Sequence, residues 1–95
     1  MPSADSSATH QTILSRLDEL AQLLPGQGPD EPRARAVYQC ERLRHAVQHA
    51  HSEGVRFAGF TLGRILSEPA HAFSDDVRRK YDELREALEA VGHRL

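Results

Sequence analysis

The chain has no tryptophan, one cysteine and only five tyrosines and phenylalanines together. Each scarcity excludes something. A lone Cys40 cannot form an internal disulfide, and no paired CxxC is present to hold zinc. A single thiol without a bridge suits a reducing compartment, and we expect the protein to be cytoplasmic. No apolar run approaches the roughly 20 residues that span a bilayer, so no membrane partner is expected. Residues Met1 to Thr9 lack both the basic start and the apolar stretch of a secretory signal.

Charge of one sign is lacking too. Twelve basic residues face fourteen acidic ones, a formal net charge of −2. Nucleic-acid-binding domains usually carry a clear positive excess, so the balance argues against nucleic acid as the main partner. Motifs of catalysis are equally sparse. There is no Gly-rich phosphate loop, nucleophile elbow or HExxH. The acidic pairs Asp75-Asp76 and Asp82-Glu83 have basic neighbours one helical turn away, which favours ion pairing over a raised carboxyl pKa. No enzyme activity and no cofactor are expected.

What the chain does have is periodicity. Ile13, Leu17, Leu20 and Leu24 recur at steps of four and three. So do Ala36, Cys40, Leu43, Val47 and Ala50, and again Val77, Tyr81, Leu84, Leu88, Val91 and Leu95. This spacing places each set on one stripe of an α-helix, and no strand could share it. The predicted fold is all-α, a small antiparallel helical bundle of three long helices plus one short one. Residues 1–8 are expected to form a disordered tail, and 9–95 a single domain near the usual size for one core.

Local signals bound the helices. Pro25-Gly26 stops helix 1 at Leu24. Asp30 is the expected N-cap of helix 2, which runs to about Ser52 with Gly54 as its C-terminal cap. The apolar segment 55–66 predicts a third helix from about Arg56 to Leu66. Its Gly59 and Gly63, four apart, suit a tight helix contact. Helix 4 begins near Ser74 with Asp75 and Asp76 in its first turn and ends near His93-Arg94, so its charges match the helix dipole. On it, i,i+4 pairs such as Asp75–Arg79, Asp76–Lys80 and Arg85–Glu89 are expected.

Two candidate surfaces follow. Phe57, Phe60, Leu62, Ile65 and Leu66 are more apolar surface than three helices can cover, and an uncovered patch marks an interface. With so few large side chains for a core, pairing with a second copy is a natural remedy. The outer face of helix 2 carries Arg35, Tyr38, Arg42, His45 and His49. Basic groups beside an aromatic can meet an acidic protein or phosphates. The sequence therefore reads as a non-enzymatic protein–protein interaction domain, self-associating as a homo-oligomer (a dimer), with an adaptor or regulatory role. An accessory nucleic-acid-binding or transcription-regulatory role of the Arg/His face is the alternative.

The six histidines raise a third possibility. His45 and His49, four apart, are placed to share a metal, but they face away from Cys40, and no carboxylate is read beside them at helical spacing. His51 is read as leaning towards the core. Residues Ala50-His51-Ser-Glu-Gly54 are similar to the acceptor segment of histidine phosphotransfer modules, though the Lys and Leu expected after the His are missing. No metal site is assigned. A helix-turn-helix over 46–65 would offer only Thr61 and Arg64 to base edges, too few for a recognition helix.

Overall fold

In a computed structural model, the backbone is described over residues 2–95 and side chains over residues 10–95. The tail expected over residues 1–8 falls outside the residues whose side chains are described. The chain forms α1 (Pro2–Leu23), α2 (Asp30–Gln48), α3 (Ser52–Ser67), a 3₁₀ turn (Pro69–His71) and α4 (Asp75–Glu89). The chain is all-α, and its short connections make sequential helices antiparallel neighbours. α2 packs most extensively on α3, and α1 on α4.

The predicted stripes build the core. Leu17, Leu20, Leu24, Leu43, Leu84 and Leu88 are fully buried, and Ile13, Ala36, Cys40, Val47 and Val77 join them. Phe73, just before α4, closes one end of the core. From α3 come Val55, Ala58, Leu62, Ile65 and Leu66. The predicted tight contact is made at the glycines of this helix. Tyr81 Oη of α4 donates to the Gly59 carbonyl at 2.8 Å. A Cβ on Gly63 would crowd that same hydroxyl, so the Tyr81 side chain lies across α3 where position 63 has no side chain.

Several expected boundaries are corrected. α2 ends at Gln48, before Ser52, because its last turn folds back on itself. The His51 amide donates to the Ala46 carbonyl (2.9 Å), and the Ala50 amide to that of Val47 (3.2 Å). This pair of bonds is a Schellman closure, and it puts Ala50 at φ 52°, where glycine is usual. Ala50 therefore leaves the buried stripe and is exposed. Gly54 does not cap α2. Its amide donates to His51 Nδ1 at 2.9 Å, which starts α3 four residues before the expected Arg56.

α4 closes with the same two bonds, His93 to Leu88 and Gly92 to Glu89, but around a glycine at φ 95°. The helix thus stops at Glu89, and Val91 is left exposed outside the stripe. The helix starts where expected, just after Ser74, whose Oγ accepts from the Val77 amide. Asp30 is the first residue of α2 and not its cap. Pro29 holds that position, and the Asp30 carboxylate instead pairs with Arg33 at 2.5 Å. On α4, Asp75 pairs with Arg78 and Asp76 with Arg79, three residues on and not four. Of those pairs, Arg85–Glu89 forms at the expected spacing (3.5 Å).

Candidate functional site

Counted from the residue outward, α3 has two unlike sides. At about 100° per residue, Val55, Ala58, Leu62, Ile65 and Leu66 point inward, and Glu53, Phe57, Phe60 and Arg64 share an arc of about 60° on the opposite side. The structure parts the apolar residues of this segment accordingly. Leu62, Ile65 and Leu66 are buried in the core of one subunit, with Ile65 and Leu66 also edging the grooves beside Phe60. Phe57 and Phe60 are 64% and 54% exposed. Leu62, Ile65 and Leu66 are thus corrected from interface to core, because the arc they occupy faces the other helices.

The outer face of α2 continues this surface. Arg35, Tyr38, Arg42, His45 and His49 are all exposed on one stripe, as their spacing predicts. Arg42 donates to Tyr38 Oη (3.1 Å) and stands 5.7 Å from the ring centre. On α3, Arg64 lies over Phe60 in the same way, at 5.9 Å. Arg35 reaches His71 Nε2 at 3.5 Å, while His71 Nδ1 lies 2.7 Å from the Ile65 carbonyl. A carbonyl only accepts, so the imidazole proton sits on Nδ1, and Nε2 accepts from the guanidinium. Open grooves border Phe60 on both sides. One of about 530 Å³ runs between Arg35, Phe57, Thr61 and His71, and another of about 420 Å³ lies between Phe60, Gly63 and Tyr81.

Charge divides the molecule. Of the twelve basic residues, seven (Arg16, Arg33, Arg44, Arg78, Arg79, Lys80 and Arg85) make ion pairs. Among the described residues, the five without a carboxylate partner are Arg35, Arg42, Arg56, Arg64 and Arg94. All five border the grooves of the α2–α3 flank. Glu31, Glu41, Glu53 and Glu68 lie among them, also without cationic partners.

The histidines gather more closely than the sequence reading allowed. The rings of His45 and His49 are 4.2 Å apart, tilted by 40°. His51 is exposed, not leaning to the core, because its ring caps α3. It shares a depression with that pair. Glu41 lines the same depression one turn before His45, which corrects the reading that no carboxylate lies beside the pair. The i−4 spacing of Glu41 to His45 was the signal. Among the described residues, no three His, Cys, Asp or Glu side chains are placed to hold a metal ion.

Two groups that titrate abnormally face the interior. Burial pushes the Cys40 thiol up to about 12, with the Glu41 charge adding to it. Burial likewise raises Tyr81. A protonated, enclosed thiol is a packing group and a poor nucleophile. On the α1–α4 flank, the hydrogen bond from Arg16 holds the Glu19 carboxyl below its usual range. Among the described residues, no helix is long and apolar enough to cross a membrane. No family model matches this sequence, and no curated protein or solved structure is significantly similar to it.

Proposed function

We propose that this chain is a non-enzymatic interaction protein that associates with itself through the outward face of α3, in an adaptor or regulatory role. The observation that carries this reading is the exposure of Phe57 and Phe60, two of only three phenylalanines in the chain. Covering a phenylalanine fully is worth about 1.5–3 kcal/mol, and a domain with so few aromatics gains nothing from leaving two in water unless something covers them. Grooves on either side of Phe60 give a partner's side chains somewhere to seat. The flank carries unpaired charge of both signs, which supports a protein partner over a polyanion, since Glu31, Glu41, Glu53 and Glu68 would repel phosphates.

Sedimentation velocity over a micromolar to hundred-micromolar series tests the reading. The wild type is expected to shift from monomer to dimer, and Phe60→Asp to remain monomeric with unchanged helical circular dichroism. A wild type that stays monomeric at the highest concentration overturns it.

A further inference from the structure

The outward arc of α3 reads Glu53, Phe57, Phe60, Arg64 at steps of four, three and four, with opposite charges at its two ends. All four side chains are exposed, and neither Glu53 nor Arg64 has an ion-pair partner among the described residues. Read from the other end, the same arc is cation, ring, ring, anion. It is its own complement. Two copies laid side by side in opposite directions place Phe57 of one against Phe60 of the other, and the same register sets Glu53 against Arg64. Both pairs have position numbers that sum alike, so a single two-fold axis between residues 58 and 59 satisfies all four contacts. A parallel arrangement would instead set Glu53 on Glu53 and Arg64 on Arg64.

We propose that the partner on this face is a second copy of the chain, joined by an antiparallel, isologous α3–α3 contact in register about that axis. The proposal rests on the self-association reading and adds its geometry. Isologous pairing asks each residue to find a complementary one on the identical surface, and the arc meets that demand within about 16 Å of helix. Arg64 already lies over Phe60 at 5.9 Å, so in the pair it bridges its own ring and the neighbour's carboxylate. An open groove beside Phe60, edged by Gly63 and the Tyr81 ring, gives the incoming Phe57 ring somewhere to seat. The α1–α4 flank offers no comparable arc, because among the described residues all of its charged side chains but Glu86 are paired within the subunit.

Charge reversal tests the register. Glu53→Arg alone makes both end contacts cation on cation, and Arg64→Glu alone makes both anion on anion. Each single variant is expected to raise the dimer dissociation constant about tenfold or more. The double variant, carrying both changes in one chain, restores every opposite-charge contact and is expected to dimerise like the wild type. An equimolar mixture of the two single variants is expected to form heterodimers in preference to either homodimer. All four positions are exposed, so the fold is retained and checked by circular dichroism. A double variant no better than the singles, while Phe60→Asp still abolishes the dimer, overturns the register and leaves self-association standing. A monomeric wild type removes both.

Discussion

The two flanks of this bundle treat charge in opposite ways. On α1 and α4, Arg16, Glu19, Lys80 and Glu83 form one network, with N···O distances from 2.7 to 3.7 Å. Arg44 of α2 joins the same side by pairing with Asp18. On the outward faces of α2 and α3, by contrast, arginines lie over aromatic rings and glutamates stand alone. The inner sides of both flanks share one leucine-rich core, so the difference is not one of folding quality. Surface ion pairs add little stability, but a flank whose charges are matched internally presents little to steer a partner. A flank with unmatched charges around exposed rings is the side on which the proposed self-association would act.

The comparison is sharpened most by truncating one large side chain on each side. Leu84 of α4 is fully buried, and Leu84→Ala is expected to cost about 2–5 kcal/mol through lost transfer energy and a residual cavity. Phe57→Ala is expected to change the stability of the dilute monomer by no more than about 0.5 kcal/mol, since most of that ring lies in water. Urea midpoints measured at sub-micromolar protein check both. A destabilisation by Phe57→Ala approaching that of Leu84→Ala would place the ring in the core and erase the contrast.

Cys40 lies between the flanks and links them to pH. Its folded pKa, about 12, stands above the value of 9.0 for a solvated thiol. The contribution is fully present below pH 9 and is lost as pH rises towards 12, because the unfolded chain releases its proton first. Three units correspond to roughly 4 kcal/mol, and the raised Tyr81 acts in the same direction above pH 10. Denaturation followed between pH 8 and 11 is expected to show stability falling with pH. Cys40→Ala is expected to flatten part of that slope. An unchanged slope would mean that the thiol is reached by water in the folded state.

How far the sequence revealed these features depends on whether periodicity alone decided them. Leu17, Leu43 and Leu84 were legible as core because steps of four and three leave one possible face, and all three are fully buried. Segment 55–66 was harder. It is apolar on two opposite arcs, so periodicity parts Phe57 and Phe60 from Leu62 and Leu66 without saying which arc is buried. The charged residues could have decided that, since Glu53 and Arg64 mark the solvent arc that the two rings share. The end of α2 was illegible for another reason. An alanine at φ 52° contradicts local preference, and only the closing bonds from Ala50 and His51 hold it there. The absence of the expected Asp76–Lys80 pair was illegible too, because Lys80 instead serves Glu83 and, across the helix interface, Glu19 of α1.

The smallest expected effect separates the flanks by acid. Glu19 is held below its usual 4.5 chiefly by the hydrogen bond from Arg16, with Lys80 adding its charge. A depressed carboxyl contributes stability above its unfolded pKa and loses it as pH falls through the folded value. The wild type is therefore expected to lose slightly more thermal stability between pH 5 and pH 3 than Glu19→Gln does, with the difference shrinking in high salt. On the open flank, Glu53 has no cationic partner within one subunit among the described residues, and the readout for Glu53→Gln is the dimer dissociation constant. That substitution should weaken dimerisation. If Glu53→Gln left dimerisation unchanged and Glu19→Gln weakened it, the assignment of matched and unmatched charge to the two flanks would have to be reversed.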